Sequence, residues 1–96
     1  MSAPSKLNEE QVASRLARLP EWKRQGAEIA RSFRFKNYHE TMAFVNATAW
    51  VSHREDHHPD LDVGYNDCTV RYTTHSAGGL SDRDFACAEK IDALFR

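Results

Sequence analysis

The chain is poor in most of the features that announce a function. It has two cysteines in 96 residues, four glycines, three prolines and no excess of one charge: thirteen Lys and Arg against fourteen Asp and Glu, net −1. Cys68 and Cys87 lie far apart and match neither a metal-ligand nor a redox spacing, so they read as buried thiols among apolar neighbours. Near-neutral charge removes the basic footprint of a nucleic-acid binder. No apolar run approaches the length of a membrane span and the N-terminus has no signal-peptide core, which predicts a cytoplasmic protein with no membrane or nucleic-acid partner. Gly78-Gly79 is not a phosphate-cradling loop, no serine sits in a G-x-S-x-G elbow, and no H-E-x-x-H is present. Internal repeats and low-complexity linkers are missing too.

What is present is a normal globular composition, 41% apolar with ten aromatics and 28% charged. That supports one domain with one modest core. The charge is unevenly spread: residues 1–48 carry eight basic and five acidic side chains, residues 49–96 five and nine. Such polarity permits self-association.

The most unusual stretch is the octet His53-Arg54-Glu55-Asp56-His57-His58-Pro59-Asp60, with three of the five histidines within six residues. Pro59 disfavours helical geometry at His58, so a helix arriving from upstream is expected to end there. A solvated, histidine-rich loop is the plain reading. A zinc site is the second: His53 and His57 are four apart and could share a helix face, but Arg54 stands where a metalloprotease-type motif has glutamate. No metal and no cofactor are therefore expected. General acid–base chemistry is what remains, and it requires histidines from separate elements to converge, with His75 the natural third.

The pattern along the chain predicts a tail, residues 1–7, and a domain from 8 to 96. Asn8 and Gln11 form a capping-box start, Val12, Leu16 and Leu19 a one-sided stripe, and Pro20 a stop. Trp22 is either core or pocket wall. From Glu21 to Phe35 the period drops to two, with a turn at Gln25-Gly26; Ile29, Phe33 and Phe35 face inward, and Arg31 interrupts them as a bulge or a sheet edge. Asn37 to Glu40 opens the longest helix, with Tyr38, Met42, Val45 and Ala49 as its apolar stripe, widened by Phe44, Trp50 and Val51. Two more strands follow, Leu61-Val63-Tyr65 and Cys68-Val70-Tyr72, and a regular second strand would place Thr69, Arg71, Thr73 and His75 on its other face. Ser81-Asp82-Arg83-Asp84 caps a last helix whose stripe is Phe85, Ala88, Ile91 and Phe95. The order α-β-β-α-β-β-α predicts a two-layer α+β domain: a four-stranded antiparallel sheet with three helices on one face.

At this point the residues resemble a known family. His57-His58-Pro59, Tyr65 after five residues, His75 after nine more and Asp84 after a further eight are similar to the signature of the pterin-4a-carbinolamine dehydratases. Gly79-Leu80-Ser81-Asp82-Arg83-Asp84 resembles the segment that closes that family's pocket, and the resemblance extends from about residue 8 over nearly the whole chain. It implies dehydration of 4a-hydroxytetrahydrobiopterin to the quinonoid dihydropterin, serving the recycling of the cofactor of aromatic amino-acid hydroxylases. His57, His58 and His75 would be catalytic; Asp56, Pro59, Arg83, Asp84, Trp22 and His53 would surround the pterin substrate. His53 stands where the family often has an acid, and the stretch between Pro59 and Tyr65 lacks the aromatics of animal members. Assembly as a homodimer or homotetramer is implied as well. The rival reading is a non-catalytic interaction module on the same scaffold, such as a dimerisation cofactor of a transcription factor, which would tolerate loss of the histidines.

Overall fold

A computed structural model describes residues 4–95. Helix α1, Glu9–Leu16, begins with the expected reciprocal cap: the Asn8 side chain accepts from Gln11 N–H at 2.8 Å while the Gln11 side chain accepts from Asn8 N–H at 2.9 Å. It stops at Leu16, four residues before Pro20, and a hydrogen-bonded turn, Leu19 N–H donating to Leu16 O at 2.9 Å, carries Leu19 into the core.

Strands β1 (Lys23–Gln25) and β2 (Glu28–Arg34) are joined by Gly26-Ala27, one residue beyond the expected turn. Gly26 takes φ +60°, which glycine adopts without strain. Helix α2 (Tyr38–Glu55), strands β3 (Asp60–Val63) and β4 (Asp67–Tyr72), a 3-10 turn at His75–Ala77 and helix α3 (Asp82–Ala93) complete the order α-β-β-α-β-β-α. The sheet is antiparallel throughout, in the order β1-β2-β4-β3. Register pairs Ile29 with Tyr72 and Phe33 with Cys68, and these four, with Val70, form the buried row that the helices cover. The opposite row is polar, with Ser32 Oγ 2.7 Å from Thr69 Oγ1 and Arg71 bonded to Asp62. Both cysteines are free and buried. Burial raises the Cys68 thiol, and takes the Cys87 thiol up to about 11.

Four expectations are corrected. Arg31 marks neither a bulge nor an edge, because β2 is an interior strand with unbroken register on both sides. Its guanidinium lies over the Phe33 ring, 4.3 Å from the centroid, and donates to Asp92 of α3 at 2.7 Å, so the charge is satisfied beneath the helix. The fully buried side chains of α2 are Thr41, Phe44 and Thr48, with Val45 and Val51 packed against the core. Of the expected stripe Phe44, Val45 and Val51 face inward, whereas Tyr38 and Ala49 are exposed and the two threonines are unexpected there. Thr41 and Thr48 donate to the carbonyls of Asn37 and Phe44, each at 2.9 Å, which allows threonine to be buried without an orphaned hydroxyl. Tyr38 and Trp50 are consequently exposed, Trp50 by 61%. Phe95 falls beyond the end of α3 and is half-exposed, though it stacks on Phe33 at 5.4 Å. Finally, the expected tail is tied down at its end: Leu7 is buried and its N–H donates to Leu80 O at 2.8 Å, while Met1 to Ala3 lie outside the described residues. None of the described helices is long and apolar enough to cross a membrane.

Candidate active site

Three chain segments meet at one end of the sheet. The first is the exit from α2. Asp56 adopts the left-handed conformation (φ 51°), which aspartate tolerates better than most residues, and His57 N–H reaches back to Ser52 O at 3.1 Å. The helix therefore ends at Glu55, earlier than a stop at His58-Pro59 would have it. This turn sends His57 inward, with its side chain 11% exposed, and leaves His58 exposed.

The second segment follows β4. The strand ends at Tyr72, and the Thr73 hydroxyl donates to Ala27 O at 2.5 Å, tying the strand end to the β1–β2 hairpin. Thr74 and Gly79 then pair across a short loop. His75 opens the 3-10 turn inside this loop. It does not continue the β4 alternation as a regular strand would have required.

The third segment is the start of α3. Ser81 caps it, and Asp84, fully buried, serves as its N3 partner by accepting from Ser81 N–H at 3.0 Å. The same carboxylate oxygen accepts from the Thr74 hydroxyl at 2.8 Å, while the other oxygen lies 2.6 Å from His57 Nε2. Ser81 Oγ, 2.7 Å from Thr74 Oγ1, donates to it, since the Thr74 proton is engaged by Asp84. A cap and a site thus share one carboxylate. Because both oxygens of Asp84 accept, Nε2 of His57 carries the proton of that bond and Nδ1 is left for other partners.

Behind His57 the wall is neutral. Its ring stacks on Tyr72, with centroids 5.6 Å apart at 19°. Burial raises the Tyr72 phenol far above its ordinary range, and Cys87, whose sulfur is 3.9 Å from the His57 carbonyl oxygen, titrates only near 11. In front of it lies an open cleft of about 180 Å³ that His57, His58, His75 and Arg83 line together. Asp60, Arg71 and the hydroxyls of Thr73, Thr74 and Ser76 complete its walls. Sequence reasoning left these out. Alternation places Arg71 and Thr73 on the face opposite the buried Val70 and Tyr72, but it does not mark them as site residues.

The remaining sequence candidates lie apart. Trp22 is a core residue, 2% exposed, packed against Phe33 and Tyr72, with its indole N–H donated to Asp92 at 2.9 Å. It stands behind Tyr72 and does not line the cleft. His53 sits on the exposed side of α2 stacked on Trp50 at 5.6 Å, so it shares no site with the inward-turned His57. Asp56 is exposed at the helix cap and Pro59 is half-buried beside the cleft; neither contributes to its lining. Among the described residues no three His, Cys, Asp or Glu side chains are grouped as metal ligands would be.

The comparisons with known proteins converge on one group. The sequence profile described as Pterin 4 alpha carbinolamine dehydratase matches residues 5–94. A Nitrosospira multiformis protein provisionally named pterin-4-alpha-carbinolamine dehydratase is 58% identical over 90 residues, covering 94% of this chain and 80% of its own. A Chromobacterium violaceum protein of the same provisional name is 53% identical over 92 residues, covering 96% and 85%. The crystal structure of a transcriptional coactivator/pterin dehydratase from Brucella melitensis superposes with a TM-score of 0.89 at 30% identity, covering 94% of this chain and 98% of that one. A pterin dehydratase-like protein identified as a RuBisCO assembly factor in the alpha-carboxysome shares the fold, with a TM-score of 0.63 at 23% identity over 76% of this chain and 84% of its own. With the profile spanning every element from α1 to α3, the chain belongs to the pterin-4-alpha-carbinolamine dehydratase family.

Proposed function

We propose that this protein dehydrates 4a-hydroxytetrahydrobiopterin to quinonoid dihydrobiopterin, with His57, His58 and His75 exchanging the protons. The observation that carries the reading is the buried Asp84–His57 pair opening onto a cleft that two further imidazoles line. Dehydration breaks the C4a–O bond. The hydroxyl leaves as water once an imidazolium has given it a proton, and a ring nitrogen gives up its own proton to a neutral imidazole. Asp84 orients His57 by holding Nε2–H, which leaves Nδ1 as the atom that trades a proton. Exposed His58 and His75 face the same space and can equilibrate with solvent between turnovers. Neither a metal nor a cofactor has a step in this scheme. The working partner it implies is a cytoplasmic aromatic amino-acid hydroxylase, whose spent pterin the reaction would return.

Stopped-flow decay of synthetic 4a-hydroxytetrahydropterin tests this directly. The protein should accelerate water loss, and dialysis against chelator should leave the rate unchanged. A rate no faster than buffer alone would overturn the reading; stoichiometric metal with chelator-sensitive turnover would overturn its mechanism.

A second, binding role is favoured by one observation: α2 carries Tyr38 and Trp50 exposed on its outer side, with exposed Tyr65 stacked on Tyr38 at 6.4 Å. Exposed aromatic surface of this kind suits self-association into a dimer or tetramer. Sedimentation showing only the 11.0 kDa species at micromolar concentration would exclude it.

A further inference from the structure

Asp60 opens β3 directly after Pro59, and its register partner on β4 is Arg71. The Arg71 guanidinium is bonded to Asp62, two residues further along β3. The Asp60 carboxylate is thereby left exposed, with no hydrogen-bond or ion-pair partner among the described residues, yet it lines the histidine cleft. Every other polar side chain lining that cleft is an imidazole, a guanidinium or a hydroxyl. Asp84 is fully buried behind them with both oxygens engaged.

A pterin presents its 2-amino N–H and its N3–H side by side on one edge. Two parallel donors call for two parallel acceptors, and a carboxylate supplies them in the same way that it grips a guanidinium. A guanidinium cannot accept, and a hydroxyl or an imidazole offers no matched pair of acceptor atoms. We infer that Asp60 is the specificity-determining residue of the cleft, holding the 2-amino edge of the pterin; the inference rests on the dehydratase reading above. Contacts to this edge are the same before and during loss of the 4a-hydroxyl. Removing them should raise KM and leave kcat nearly unchanged.

The test uses Asp60→Asn, titrated with 7,8-dihydrobiopterin and with the analogue bearing a carbonyl in place of the 2-amino group, alongside dehydration kinetics. Affinity for the dihydrobiopterin should fall roughly tenfold to a hundredfold, as expected for loss of hydrogen bonds to a charged group. Affinity for the 2-oxo analogue should hold or improve, because the new amide can donate to its carbonyl. Dehydration should show the KM increase with kcat within about twofold of wild type. An Asp60→Asn protein that binds dihydrobiopterin as tightly as wild type, or that loses both ligands equally, would overturn the assignment of Asp60 alone. Wild-type protein that neither binds dihydrobiopterin nor dehydrates the carbinolamine would overturn the dehydratase reading, and this inference with it.

Discussion

Helix α3 carries two carboxylates into the domain, Asp84 in its first turn and Asp92 in its last, and they do different jobs. Asp92 accepts from the Trp22 indole at 2.9 Å and from the Arg31 guanidinium at 2.7 Å. Both donors keep their protons at any pH the fold meets, and both lie beneath the helix. Asp84 accepts from the Ser81 amide, the Thr74 hydroxyl and His57. The first two are equally fixed, but the third is a ring that can gain or lose a proton and that borders a cleft. Residue type is the same at the two positions, and burial differs modestly: Asp84 is fully buried and the Asp92 side chain is 13% exposed. The difference is one titratable partner in contact with solvent space, and that separates a carboxylate that holds the core from one that, in the proposed reaction, orients chemistry.

The strongest test of the Asp84 end is removal of a proposed proton carrier from its cleft. His58→Ala should slow dehydration roughly 10²–10⁴-fold, the usual worth of a general acid or base. His58 is exposed and contributes nothing to the core, so the melting temperature should stay where it is. Asp84→Asn should come next in size. The Ser81 amide and Thr74 hydroxyl need an acceptor, so the new side chain turns its oxygen to them and its NH₂ to His57. His57 is then forced to accept at Nε2 and to carry its proton on Nδ1. We expect a rate loss of roughly tenfold or more from that reversed tautomer, with about 1–2 kcal/mol of stability lost from the weakened buried network. Stopped-flow rates paired with urea unfolding check both numbers. Equal rates for Asp84→Asn and wild type would mean that the two carboxylates differ only in location.

At the other end the outcome should invert. Asp92→Ala leaves the Trp22 N–H and the Arg31 charge without an acceptor in a partly buried place, which costs about 1–3 kcal/mol. For a domain of this size that is a fall of about 4–8 °C in melting temperature for each kcal/mol. The dehydration rate at 25 °C should be unchanged. A calorimetric scan and one rate measurement decide it.

Sequence pattern reached most of the fold because its signals were local. The caps at Asn8 and Ser81, glycine at the hairpin and the period-two runs of β2 and β4 each fix an element without reference to the rest of the chain. It failed where a residue's partner is distant. Arg31 looked like a fault in β2, because Asp92 lies 61 residues away. Trp22 stayed undecided between core and pocket wall for the same reason: its N–H is answered 70 residues later. The α2 stripe was misplaced because Thr41 and Thr48 count as polar in any hydropathy pattern, yet they satisfy their hydroxyls on their own helix and bury completely. In the site, the family resemblance pointed to His57, His58, His75, Arg83 and Asp84, and equally to Asp56, Pro59, Trp22 and His53, which do not line the cleft. Asp60 and Arg71 joined them only once the folded cleft showed both in its walls.

The smallest effect lies between the two carboxylates, at Cys87, and its sign separates the ends once more. The folded-state thiol titrates at about 11 against 9.0 for an ordinary one, chiefly because burial disfavours the thiolate. Below about pH 9 both folded and unfolded chains keep the proton, and the group adds no pH dependence. Between about 9 and 11 the unfolded chain releases its proton while the folded chain retains it, so the unfolded state binds fewer protons and stability falls as pH rises. Tyr72, raised in the same direction, extends the fall at higher pH. Tyr72 touches both His57 and Trp22 but Cys87 packs behind His57, so the weakening that starts with Cys87 should begin at the Asp84 end while the Trp22–Asp92 contact still holds. Urea midpoints at pH 7 and pH 10 measure the total drop, and Cys87→Ala should make that drop smaller. Trp22 fluorescence, followed against pH in a Trp50→Phe background that removes the exposed second indole, should shift only after far-ultraviolet circular dichroism begins to change. If Trp22 reports first, the core end gives way before the site end, and the division of labour along α3 is not the one described by its two carboxylates.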